Sequence, residues 1–122
     1  MKIKIGSDGG NSCRFTLSGE LSKIVPKPLP ILSFANLSLK PRGLKLDAVQ
    51  FAIQEKAGFK FWWALPDNKY EFLLVLESRG GFDFEKINSI ASPPEAIGLA
   101  FTAFKITEAD MGYVIMMDFS KL

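Results

Sequence analysis

Histidine is absent from this chain and cysteine occurs once. The first absence removes the commonest general base and the commonest metal ligand. It also leaves Cys13 with no imidazole partner, so a Cys–His nucleophile is excluded. One cysteine forms no internal disulfide, which suits a reducing compartment. A zinc site needs ligands that this composition does not supply. No catalytic residue is assigned, and neither a cofactor nor a metal is expected.

Long hydrophobic runs are missing too. The unbroken apolar stretches are a few residues long, too short for a transmembrane helix. Met1-Lys2-Ile3-Lys4-Ile5-Gly6 alternates polar and apolar residues where a signal peptide would be continuously apolar. The expectation is a cytoplasmic protein with no membrane partner. Arginine is scarce in the basic set Lys23, Lys27, Lys40, Arg42 and Lys45, and Phe34 is the one aromatic among them. Nucleic acid is therefore a disfavoured partner. The loop Gly6–Ser12 has neither the Lys-Ser/Thr ending of a P-loop nor the spacing of a dinucleotide fingerprint, so it reads as a flexible turn.

Carboxylates remain. Asp83 with Glu85, and Glu108 with Asp110, are close in sequence, and two acids set across a sugar would serve glycoside hydrolysis. A helix start explains the first pair better, because negative charge suits the helix dipole there. A solvated turn explains the second. A carboxylate-based hydrolase is thus the third-ranked function.

What the chain does have is aromatic strand material. It is 122 residues long, one domain's worth, and 48% hydrophobic with eleven Phe and two Trp. Such residues favour strands. Residues 59–77 are the centre: two aromatic and β-branched arms flank Pro66-Asp67-Asn68, an antiparallel hairpin. Phe59, Phe61, Trp63 and Leu65 alternate onto one face, as do Tyr70, Phe72, Leu74 and Leu76 on the second arm. The opposite face, with Trp62, Ala64, Leu73 and Val75, is also apolar, so the hairpin is expected to be covered on both sides.

Upstream, residues 2–5 and Cys13–Ser18 read as paired strands. Val25-Pro26-Lys27-Pro28-Leu29-Pro30 has too few backbone donors for a central strand and reads as a stiff extended connector. It divides loosely packed N-terminal strands over 1–30 from a main sheet over 31–122. Turns at Lys40–Gly43, Glu55–Gly58 and Leu65–Asn68 share one pattern, a type I turn followed by a left-handed residue. They predict four sequential strands, about 31–39, 44–54, 59–65 and 69–77. Over 46–58 strand competes with helix, because Asp47 and Gln50 form a capping-box pattern. A short helix is expected over 84–91. Residues 96–106 read as a strand with Ile97, Leu99, Phe101 and Ala103 on one face, with a helix as the alternative. Tyr113–Phe119 is the last strand.

The fold expected is mainly β, an antiparallel meander forming a sandwich or small barrel with one or two short helices. The alternative is α+β, a sheet with one helical cover. Charge is lopsided: residues 1–61 carry ten Lys/Arg against four Asp/Glu, and residues 62–122 carry five against nine. Halves held apart would favour head-to-tail association, whereas interleaved strands would cancel the polarity.

Excess apolar strand faces and missing catalytic residue types point to a non-enzymatic interaction or self-assembly module, a homo-oligomer or a binder of a protein partner. Trp62, Trp63, Tyr70, Tyr113 and Phe119 are the contact candidates. A phage or mobile-element structural subunit would fit these features. The second function is a small-ligand binder, with an apolar ligand in a barrel or a sugar stacked on a Trp.

Overall fold

The computed structural model describes residues 1–53, 57–84, 89–106 and 111–122, with the backbone alone at Met111. Among these residues ten strands form two antiparallel sheets. They are β1 (Lys2–Gly6), β2 (Ser12–Leu21), β3 (Val25–Ser33), β4 (Leu44–Ile53), β5 (Gly58–Leu65), β6 (Lys69–Glu77), β7 (Arg79–Asp83), β8 (Ile90–Ala91), β9 (Gly98–Phe104) and β10 (Met111–Lys121). The first sheet runs β1-β2-β10-β4-β7, with β8 also on β4. The second runs β3-β9-β5-β6.

The sheets meet face to face. Cys13, Phe15, Leu17, Val49, Ile115 and Met117 enter the core from the first sheet, and Phe59, Phe61, Trp63, Leu99 and Phe101 enter from the second. Tyr113 lies 4.8 Å from Phe59 across the gap, and Phe119 lies 6.2 Å from Trp63. Aromatic pairs at these separations add to the area that they bury. The mainly β, antiparallel expectation holds, and the architecture is a sandwich. Among the described residues helix is confined to single 3-10 turns at Phe34–Asn36 and Pro66–Asn68 and to Phe84, and none of these forms the helical cover of the α+β alternative.

Several elements lie where the sequence places them. The hairpin β5–β6 forms, with Asn68 left-handed at φ +57° and Asp67 beside it at +63°. Pairing of β1 with β2 runs from Lys2↔Ser18 to Gly6↔Arg14. Alternation outweighs the capping box in β4, where Leu44, Leu46, Val49, Phe51 and Ile53 are buried. In β9 the inner face is Leu99, Phe101 and Ala103, while Ile97 lies before the strand and is exposed.

The strand order corrects the meander. β4 and β5 lie in different sheets, and residues 31–39 do not form a strand beyond Ser33. Turn chemistry bends a chain but does not say which sheet each arm joins. Each arm has a fully apolar inner face, and β4 pairs with β10 and β7. The left-handed residues before β4 are Leu39 (φ +67°) and Lys40 (φ +41°), not Gly43. The helix expected over 84–91 does not extend to its end, because Ile90 and Ala91 pair with Leu46 and Lys45. Residues 85–88 lie outside the described residues, as do 54–56 of the turn before β5.

The loose N-terminal section is also corrected. β2 sits inside the first sheet, and Phe15 and Leu17 are fully buried. The proline-rich stretch is a strand, not a connector: β3 pairs with β9 at the sheet edge, with register shifts after Val25 and Pro30. An edge tolerates missing donors that a central position would not. Charge polarity between the halves disappears because strands from both halves alternate. Arg14 of β2 pairs with Asp118 of β10 at 2.7 Å, and Lys121 of β10 pairs with Asp8 at 2.6 Å.

Candidate functional site

The five contact candidates divide between two environments. Trp63, Tyr113 and Phe119 are core residues, between 1% and 5% exposed. Trp62 and Tyr70 are half-buried on the outside of the second sheet. Strand alternation separates the two tryptophans, since adjacent residues point to opposite faces.

A bulge shapes that outer face. Phe61 pairs with Leu74 but Trp62 pairs with Phe72, so Leu73 is an extra residue in β6. One added residue shifts every following side chain to the other face. Leu74 and Leu76 stay in the core, whereas Phe72 turns outward and is 51% exposed. The sequence reading placed Phe72 on one face with Leu74 and expected both faces to be covered, and the bulge separates the two residues and leaves Phe72 exposed. Leu73 and Leu74, two buried residues in succession, mark the break.

Trp62 is held by its neighbours. Its Nε1–H donates to Thr102 Oγ1 at 3.1 Å, and its ring meets Phe72 edge-on at 5.6 Å between centroids. On its other side a groove of about 490 Å³ opens between β3 and β9, with Pro26, Pro28, Trp62, Phe104, Lys60 and Lys105 in its walls. The ammonium groups of Lys60 and Lys105 lie 5.5 and 5.8 Å from the centre of the Phe104 ring. Both distances allow cation–π attraction. An apolar band thus crosses the sheet from the prolines of β3, over Ala100 and Trp62, to Phe72 and Val75 of β6. Ala100 is fully covered by this band, while Val75 is 45% exposed. Sequence reasoning missed Phe72, Val75, Phe104 and the lysines. The signal available for Lys60 was its alternation with Trp62.

A polar cleft on the first sheet is built differently. The register shift between Asp118 and Phe119 leaves Asp47 unmatched in β4, where it lines this cleft and is 7% exposed. Its carboxylate accepts hydrogen bonds from Ser89 Oγ at 2.7 Å and from Ser120 Oγ. A buried carboxylate needs such partners. Asp47 therefore ties β10 and the residue that leads into β8 to β4, and does not cap a helix. Cys13 borders this cleft, buried, and desolvation raises its thiol pKa above the ordinary value, with the Asp8 charge adding to the shift. A thiol in that setting is a packing group. Of the four acids considered for hydrolysis, Asp83 is exposed on β7, and Glu85, Glu108 and Asp110 lie outside the described residues. Among the described residues no group of three or more Cys, Asp or Glu is placed to hold a metal.

The fold and its surface define a class: an antiparallel β-sandwich with a filled core and an apolar band on one outer face. No protein-family model matches the chain, nor does any curated protein or solved structure. No described helix is long and apolar enough to cross a membrane.

Proposed function

We propose that this protein is a non-enzymatic interaction module that self-associates through the outer face of its second sheet. One observation carries the reading. The core is already closed by the inner faces, yet Trp62, Phe72 and Val75 form further apolar surface outside it. Water-facing strand positions are ordinarily polar, and contiguous apolar surface marks contact sites. Trp62 is the anchor of the face, a large ring fixed in one orientation by Thr102.

Sedimentation of the purified protein at two concentrations and two salt levels tests this. The expected result is a defined oligomer, little affected by salt, that weakens in Trp62→Lys while circular dichroism shows the fold retained. A wild-type monomer at the higher concentration removes the reading.

The groove beside Trp62 favours a second reading, a small-ligand site. Its walls supply an indole face, two prolines and two lysines, which suit a flat apolar or sugar-like molecule carrying negative charge. Tryptophan fluorescence should then respond to such ligands in wild type and much less in Trp62→Phe. No response across lipid and sugar panels counts against it.

A further inference from the structure

A sandwich of two open sheets has four strand edges. Each edge exposes a row of backbone N–H and C=O groups that will pair with another chain unless something prevents it. Three of the four are blunted here. β3 has Pro26, Pro28 and Pro30, which remove donors and interrupt its register. β1 is five residues long and carries Lys2 and Lys4. β7 is also five residues long and contains Gly80 and Gly81.

The fourth edge, β6, has neither the prolines, the glycines nor the shortness of the others, and its one irregularity is the bulge at Leu73. It runs nine residues, Lys69–Glu77, without proline or glycine, and Glu71 is its one internal charge. It ends the second sheet, with β5 its one strand partner among the described residues. Alternate residues of a strand point their N–H and C=O groups to the same side, so about four of each face outward.

Resting on the self-association reading above, we infer that β6 pairs antiparallel with β6 of a second copy, joining two four-stranded sheets into one of eight. The strand's pattern is self-complementary in that arrangement. The bulge at Leu73 puts Phe72 and Val75 on the same outer face, where both are about half exposed. A two-fold axis near Leu73 and Leu74 sets Phe72 of each copy opposite Val75 of the other. Aromatic and β-branched residues are favourable cross-strand partners. Glu71 then faces Leu76 of the second copy and avoids another acid. Charge selects the direction as well. Lys69 begins the strand and Glu77 ends it, so antiparallel pairing brings opposite charges near each other at both ends, while parallel pairing aligns like charges. The result is an isologous contact, which closes as a dimer.

Two single variants, Phe72→Cys and Val75→Cys, test the register under mild oxidation. Native Cys13 is buried and does not compete. An equimolar mixture should give covalent heterodimer in several-fold excess over either variant alone. Val75→Lys should move wild-type dimer to monomer in sedimentation with an unchanged circular dichroism spectrum. If wild type is oligomeric but Val75→Lys leaves it so and the mixture gives no excess heterodimer, β6 pairing is overturned and the interaction-face reading stands. If wild type is a monomer at every concentration, both fall together.

Discussion

Trp62 and Trp63 differ by one position and belong to different parts of the molecule. Trp63 is 1% exposed between Phe34 and Phe119, whereas Trp62 lies on the outer face against Phe72. Their replacement should therefore separate stability from association. Trp63→Ala should cost about 3–5 kcal/mol, as large core truncations do. Trp62→Ala should cost about 1–2 kcal/mol, from one hydrogen bond and one ring contact. Chemical denaturation of both variants measures the difference, and equal losses would contradict the two environments. A second residue-scale test concerns Asp8. The hydrogen bond from Lys121, aided by the backbone N–H of Ser38, holds its carboxyl below the ordinary 3.8. A folded pKa below the unfolded one stabilises above the unfolded value, and the contribution is lost as pH falls through the folded value. The Tm gap between wild type and Asp8→Asn should accordingly be constant near neutrality and narrow below about pH 4. A gap unchanged by acid would show that the carboxylate charge contributes nothing. Lys121, buried and also donating to the carbonyls of Asp8 and Ser38 at 2.7 and 2.9 Å, makes this loop anchor one unit.

Elements were legible where alternation is long and unbroken. β10 buries Tyr113, Ile115, Met117 and Phe119 in step, and β9 follows the face expected of it. Bulges were not legible. The extra residue at Leu73 and the one at Asp47 each reassign side chains between faces, and both sit in stretches whose residue types tolerate either register. Nor was the contact between β3 and β9 visible in sequence. It depends on Gly98, where an added Cβ would lie 2.2 Å from the Leu32 carbonyl oxygen. That atom belongs to the backbone and cannot swing away. Gly98→Ala should then destabilise by about 1–3 kcal/mol, the range for overpacked sites. Gly6→Ala, with open space around it, should change stability by no more than about 0.5 kcal/mol. Thermal unfolding of the pair compares a required close approach with a dispensable glycine, and similar losses would remove the steric explanation.

The whole molecule is held together by pairing between distant parts of the chain. β10 lies between β2 and β4, and β9 lies between β3 and β5. A fragment of residues 31–122 keeps eight of the ten strand segments in whole or part, yet lacks β2 with its buried Phe15 and Leu17. It should not fold: its amide spectrum should be collapsed and its circular dichroism should lack the β signature. A dispersed spectrum would restore the division at Pro30. The same interleaving explains why the opposite charges of the two halves leave no polar ends, since Arg14 meets Asp118 within one sheet.

From the sequence alone came the class of structure, most of the strands, the hairpin at 66–68 and the want of histidine and disulfide chemistry. These follow from local causes: side-chain alternation, turn residues and composition act over a few positions. Tertiary structure alone decided which strands share a sheet, where the register slips and which of two adjacent tryptophans faces water. Those outcomes depend on partners dozens of residues away, such as Thr102 for Trp62 and Ser120 for Asp47. A strand with two apolar faces satisfies its local preferences in either orientation, so only packing against the rest of the core chooses between them.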